Sequence, residues 1–401
     1  MTSLALTACG GGDVSPPGMG GDGGSDGDVT IEFLQWWEPE LPDGELRQLI
    51  DQFEDENPGI KVELLSQPFN SVKDQVVAGA ATGILPDVMG VDGDWVSDFV
   101  DQGAITSLSP MIEESDFDTS KVVKEVQVDD ETYVLPVVNF LFPMFVNTGL
   151  LEEAGISEVP EDYTSFAEAA TAIDALNENV SGTTIALGLE NPTGIGNDFM
   201  PWVWSPDGTI LTEDGEPDLV SDRMIETVEF LKERYDEGVM SPGIFTMARQ
   251  DEVEEFLAGR VGMFMGSLAH INLFREDNPD LDFAVTTVPT PDGYTGDKKV
   301  KYASWGIGVS ESTENPEAAW ALVEFLFEEG PNTELSEMAN AFPGNVNVEP
   351  DFSDSDPLHA DAFEIWQANT PVNEFEALPQ VSDLQRRFGE ELHHIFNDEK
   401  D

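Results

Sequence analysis

The sequence predicts an α/β protein built on a wound, mainly parallel sheet and large enough for two lobes. Three observations carry this. Strand-like and helix-like segments alternate from Val29 onward at the spacing of βαβ units. The chain has 401 residues, and domains of roughly 100–200 residues divide that into two or more. Hydrophobic residues make up 40%, enough to fill real cores. No apolar run reaches the ~18 residues that a membrane-spanning helix needs.

The elements follow in order. VTIEF from Val29 alternates and reads as a strand. Asp43 is placed to cap a helix whose Leu46, Leu49, Ile50 and Phe53 share one face. NPG at 57–59 ends it, and IKVEL at 60–64 is a second strand. A helix around 70–82 carries Val72, Val76, Val77 and Ala80. PDVMGV at 86–91 reads as a short buried strand, with a helix starting near Asp94. YVLPVV at 133–138 is strand-like. Ser165 and Glu168 have capping-box spacing before Phe166, Ala170 and Ile173. TIALGL at 184–189 reads as a strand, and 190–220 as an irregular stretch. Ser221 caps a helix with Met224, Ile225, Val228, Leu231 and Tyr235. RVGMFMG at 260–266 and DFAVTTVP at 282–289 are strands. Asn315-Pro316 starts a helix with Pro at its first position. Helices around 357–368 and 382–397 close the chain, which has no internal repeat.

Charge narrows the function classes. Asp and Glu total 81 against 17 Lys and Arg, a net charge of −64. Apolar periodicity persists throughout, which argues against an acidic disordered chain. The acids are spread through every segment, which argues against acidic tails. The remaining reading is a folded protein of a halophile: at about 1 M salt the Debye length falls to roughly 3 Å and self-repulsion is screened. Binding to nucleic acid or anionic lipid is disfavoured.

The single cysteine excludes an internal disulfide. It lies in Leu6-Thr7-Ala8-Cys9, which resembles the lipobox of secreted lipoproteins and marks Cys9 as a lipidation site. The preceding MTSLALTA lacks a basic region and a full apolar stretch. Either the true start lies upstream or Cys9 is an ordinary cysteine. Residues 10–28 hold nine Gly and four Asp and no base, the composition of a solvated tether.

The order of segments over about 29–397 resembles the family 1 extracellular solute-binding proteins of ABC importers, the group of maltose-binding-protein-like sugar receptors. The carriers are IEFLQWWEPE, LIDQFEDENPGIKVEL, AGAATGILPDVMGVDGDWVSDF, YVLPVVNFLFPMFVNTGLLEEAGI, EEFLAGRVGMFMGS, NPEAAWALVEFL and AFPGN. Each is weak alone; their shared order is specific. The resemblance implies a two-lobed, type II periplasmic-binding-protein-like fold, each lobe a mainly parallel sheet flanked by helices, with the ligand cleft between. It implies lobe I over 29–138 plus about 284–330, and lobe II over 139–283 plus about 331–401, after a signal remnant and tether at 1–28. It also implies delivery of a captured solute to a membrane permease and no chemistry on the ligand. The chain is further expected to need no cofactor, to be a monomer and, from the lipobox-like Cys9, to meet the membrane only through a lipid.

The residues make their own argument for a cleft. Ligands in open α/β sheets bind beyond the carboxyl ends of strands. Trp36, Trp37 and Glu38 follow the first strand, and Asp92 and Trp95 follow the third. Trp202 and Trp204 lie in the irregular stretch, and Trp305 stands beside Gly306. Sugars present apolar C–H faces and a hydroxyl rim, which aromatic faces and a few polar groups suit. Asn139, Ser267 and Asn345 complete the polar candidates. Successive strand residues point to opposite faces, so one of the tandem tryptophans packs the strand end and the other walls the cleft, with Trp37 favoured for the cleft. AFPGN departs from the family's Pro-Ala-Arg pattern, and the missing Arg argues against an anionic substrate. Each tryptophan also has a plain core reading.

Enzyme motifs are not found in working context: no H-E-x-x-H or Walker A occurs, and G-x-S-x-G spacing falls only at Gly23–Gly27 inside the Gly-rich tether, not between a strand and a helix. His393 and His394 are adjacent on a helix, a poor metal pair. A glycosidase, which needs two carboxylates across a sugar, is the alternative from another class. A polyol, glycerol phosphodiester or peptide is the alternative ligand.

Overall fold

β1 (Val29–Gln35) shows how the chain starts to build a core. Ile31 and Phe33 are buried while Thr30 and Glu32 face water, and from Phe33 to Trp37 every residue is buried. The strand end therefore lies inside the molecule. The computed structural model describes residues 29–190, 192–212, 217–353 and 355–400. Cys9 and the tether before Val29 lie outside the described residues.

α1 (Glu45–Glu56) buries Leu46, Leu49, Ile50 and Phe53 as their spacing predicts. Gly44, at φ 80°, holds its N-cap position instead of Asp43. β2 (Ile60–Ser66), α2 (Phe69–Thr82) and β3 (Val88–Val91) follow, and β2, β1 and β3 lie parallel. α3 (Val96–Asp101), α4 (Ser109–Ser115) and β4 (Val126–Val128) lead to β5 (Glu131–Leu141), which ends at the boundary between the two sheets.

After Pro143 the chain enters the second sheet through β6 (Met144–Asn147), α5 (Thr148–Glu153), α6 (Tyr163–Asp174) and β7 (Ser181–Thr183). α7 (Met200–Trp204), α8 (Asp222–Asp236), α9 (Arg249–Leu257), β8 (Val261–Met265), α10 (His270–Asp277) and β9 (Phe283–Thr286) complete it. β10 (Lys299–Val309) returns to the first sheet, followed by α11 (Pro316–Leu326), α12 (Glu329–Ala339) and β11 (Phe342–Pro343). α13 (Pro357–Ala368), β12 (Thr370–Val372) and α14 (Val381–Phe396) pack back across the second unit.

The first sheet runs β11-β5-β10-β3-β1-β2, and the second β7-β8-β6-β9. Each has its own apolar core. A third cluster around Phe145, Phe256, Phe264, Tyr302 and Trp366 spans their junction.

Several expectations change. The sheets are mixed, not mainly parallel: β10 runs antiparallel to β3 and β5, and β6 antiparallel to β8 and β9. TIALGL is not a strand; β7 stops at Thr183, and the Leu187 and Gly188 amides bond to the loop carbonyls of Ile244 and Met247. Asp162, not Ser165, caps α6, with Ser165 as its reciprocal partner. α12 and β11 join the first core, because Leu335 and Ala341 pack there and β11 pairs with β5. The boundary at about 330 therefore falls too early.

Candidate binding cleft

The carboxyl ends of β1 and β3 open on a cavity of about 170 Å³ between the two sheets. The first lobe contributes Trp36, Glu40, Phe69 and Asp92. The crossing strands contribute Phe140, Phe142, Ser304 and Trp305, and the second lobe Ser267 and Ala269. Among the described residues no Lys or Arg lines it. A larger groove of about 360 Å³ beside Ile210, Leu378 and Leu384 has walls from one lobe only and no aromatic ring.

The tandem tryptophans divide the work, with their roles reversed from the expectation. Trp36 faces the cavity. Trp37 is 0% exposed and stacks on Trp305, with centroids 5.5 Å apart and planes 6° apart. Trp37 therefore backs the wall that Trp305 presents. Gly90 on β3 makes room for both indoles: a Cβ there would lie 3.1 Å from Trp36 and 3.3 Å from Trp37. Trp95 does not line the cavity; it supports Trp36 at 5.3 Å and Phe69 at 4.6 Å.

Two carboxylates reach the site. Asp92 caps the turn Gly93–Trp95 by accepting from the Asp94 amide at 3.0 Å. Desolvation, and then the charge of Asp94, push the Asp92 carboxyl well above the ordinary carboxylate range. Desolvation also raises Asp94. Lys301, 5% exposed, stands behind them with Nζ donating to the Tyr302 carbonyl at 2.6 Å. Glu40, not Glu38, is the acid after the tryptophans that lines the cavity. Glu38 turns away and accepts from the Ser66 hydroxyl.

Under the second-lobe wall lies another buried ionic group. Arg249 pairs with Asp198, lies 3.5 Å from Glu252, and sits 5.7 Å from the Phe142 ring centroid. Lys301 flanks the same ring at 5.4 Å. Glu252 is fully buried beside Arg249, and desolvation raises its carboxyl. His270 Nδ1 finds no hydrogen-bond partner among the described residues; desolvation, and then Arg249, hold its imidazole down to about 3.

The remaining candidates are structural in place. Trp202 packs with Phe166 at 4.8 Å and Phe230 at 5.6 Å in the second core. Trp204, 0% exposed, donates its Nε1 to Glu374 at 2.5 Å. Asn139 donates to the Pro343 carbonyl at 3.2 Å. Asn345 donates to the Phe327 carbonyl at 2.8 Å and accepts an amide in its own turn, fastening the β11 loop to α11. Sequence reasoning missed Glu40, Phe69, Phe140, Phe142 and Ser304. Phe142 carried a readable signal, since it precedes Pro143 where β5 must end. Among the described residues no cluster of His, Cys, Asp and Glu is arranged to hold a metal.

Comparison with known proteins gives a consistent answer. A family profile described as "Bacterial extracellular solute-binding protein" matches residues 15–333. A protein of Brucella abortus described as a binding protein is 27% identical over 298 residues, covering 73% of this chain and 71% of that one. The cyclic α-maltosyl-1,6-maltose binding protein of Arthrobacter globiformis superposes with a TM-score of 0.80 at 18% identity, covering 93% of this chain and 95% of that one. An ABC substrate-binding protein of Listeria monocytogenes in complex with cycloalternan gives 0.73 at 20% identity, with the same coverage. Their shared architecture is the two-lobed periplasmic-binding-protein-like fold.

Proposed function

Because the chain belongs to the bacterial extracellular solute-binding protein family, we propose that it is the receptor of an ABC-type importer. It captures a sugar or small oligosaccharide between its lobes and delivers it to a membrane permease. The observation that carries this reading is the inter-lobe cavity, where Trp36, Phe69 and Trp305 stand with Asp92, Glu40 and Ser267. Aromatic faces suit the C–H faces of a pyranose, and the carboxylates and hydroxyl suit its hydroxyl rim. Among the described residues the lining holds two carboxyl groups and no cation, so it offers an anionic solute no counter-charge. The Arthrobacter protein is named for binding cyclic α-maltosyl-1,6-maltose and the Listeria protein is in complex with cycloalternan, which favours the same class.

A ligand touching walls from both lobes binds the closed arrangement better than an open one, and that difference drives closure. The receptor acts as a monomer held near its permease by a lipid on Cys9. Its charge of −64 fits an extracellular face bathed in molar salt.

The test is a thermal-shift screen against neutral, amino and acidic sugars at molar salt. A ligand at about 100 times its Kd stabilises the folded state by about 2.7 kcal/mol. A neutral mono- or oligosaccharide is expected to raise the melting temperature without being turned over. No shift from any sugar refutes the sugar reading, and hydrolysis of the sugar decides for a glycosidase.

A further inference from the structure

Residues 373–377 run between the lobes, and neighbouring side chains are anchored in opposite ones. On the second-lobe side, Glu374 accepts from Trp204 Nε1 at 2.5 Å and from the Ile210 amide at 2.9 Å. Phe375, 2% exposed, packs its ring against Trp204 at 5.8 Å. On the other side, Glu376 accepts from Lys124 Nζ at 3.0 Å and from the Tyr302 hydroxyl at 2.6 Å. The Ala377 amide donates to the Gly93 carbonyl at 3.0 Å. Asn373 Nδ2 reaches Asp94 at 3.5 Å.

Two backbone features mark this as an imposed fit. Ala377 holds φ 56°, a left-handed conformation that a residue with a Cβ adopts only where its surroundings require it. A Cβ on Gly93 would stand 2.6 Å from Glu376 Cγ, although Gly93 itself is outside the left-handed region. Glycine is needed at 93 because Glu376 comes so close. Gly93 directly follows Asp92, the carboxylate at the cleft.

We propose that residues 373–377 form a strap that fastens the two lobes beside the cleft, with Glu376 as the positioning residue for the turn that carries Asp92. The link to ligand capture rests on the receptor reading above; the fastening itself does not. The second-lobe end is sealed by a buried ring and bonds to Trp204 and Ile210. The first-lobe end depends on a half-exposed lysine and one amide, beside the phenol of Tyr302 on the crossing strand β10. The first-lobe end is therefore the one that releases when the lobes part.

Gly93→Ala and Lys124→Gln test this in ligand-free protein at molar salt, by hydrogen exchange and small-angle scattering. Gly93→Ala is expected to speed exchange at the Ala377 amide by about tenfold or more, the signature of local opening. The Ile210 amide, held by Glu374, stays at the wild-type rate, and the radius of gyration rises. Lys124→Gln shifts both readouts the same way by less, without crowding. If Gly93→Ala does not fold, Lys124→Gln alone decides. Wild-type exchange and radius in the folded variants overturn the strap. Equal acceleration at Ala377 and Ile210 overturns it too, because the segment is then loosened as a whole. No sugar is present, so a failure of the sugar screen leaves this result standing.

Discussion

Trp37→Ala separates the buried indole from the one that faces the cleft. Trp37 is 0% exposed, stacks on Trp305 at 5.5 Å and meets Phe33 edge-on at 5.2 Å. Deleting a buried Trp side chain costs about 3–5 kcal/mol, of which the stacked pair accounts for about 0.5–1.5. Unfolding entropy is about 2.1 cal/mol/K per residue, so one cooperative unit of 401 residues loses roughly 4–6 °C of Tm, and a lobe of half that size unfolding alone roughly twice as much. Trp37→Phe is the control. The Trp37 Nε1 has no hydrogen-bond partner among the described residues, so Phe forfeits no bond seen there, keeps an aromatic face against Trp305, and costs about 1–2 kcal/mol. Urea unfolding at fixed molar salt, followed by circular dichroism, measures both; guanidinium is avoided because it is itself a salt. Trp37→Ala within 1 kcal/mol of wild type, or Phe as costly as Ala, refutes the assignment of Trp37 as the packed partner.

Trp36→Ala should weaken sugar binding by about tenfold or more in calorimetry, a larger loss than Trp37→Phe causes; equal losses would contradict the division of roles. Gly344→Ala places a Cβ 2.0 Å from the Pro136 carbonyl oxygen and 2.8 Å from that of Val137; backbone cannot yield there cheaply, so soluble yield or Tm should drop sharply, and a wild-type Tm would refute the close approach. His270 is depressed from 6.5 to about 3, so the stability it contributes is full above pH 6.5 and is lost as pH falls towards 3, by up to a few kcal/mol. His270→Asn should flatten the acid limb of a stability-against-pH curve in that window; an unchanged limb counts against a buried neutral imidazole. Stability should rise steeply with salt as the Debye length shrinks from about 10 Å at 0.1 M to about 3 Å at 1 M, and a salt-independent urea midpoint would remove the case for a halophile.

Local periodicity made much of the fold legible. α1 buries the four residues its 3.6-residue spacing selects, and β1 and β2 lie where alternation places them. Pro316 and Pro357 start their helices as proline at the first position should. TIALGL failed because apolar content without alternation does not distinguish a strand from a buried loop; the carbonyls of Ile244 and Met247 decide the matter from far along the chain. Strand direction failed for a similar reason. Alternating segments suggest parallel neighbours, but β10 arrives from the other lobe and inserts antiparallel between β3 and β5.

The site was legible only in outline. The segments ending β1 and β3 came from the rule that ligands lie beyond strand ends; Trp305 reaches the cavity from within β10, beside Gly306. Which of Trp36 and Trp37 faces the cavity did not, nor did Glu40 over Glu38. By itself the sequence determined what local spacing and composition control: α/β class, the amphipathic faces, an excess of carboxylate and a tryptophan pair at a strand end. Only the tertiary structure decided side-chain destinations: Trp37 against Trp305, Trp202 and Trp204 into the second core, Asn345 onto Phe327, and Glu376 against Gly93. The physical reason is that each of these is a contact between residues far apart in the chain. Its sign, cavity wall or core, is set by the register and twist of strands that no local pattern records.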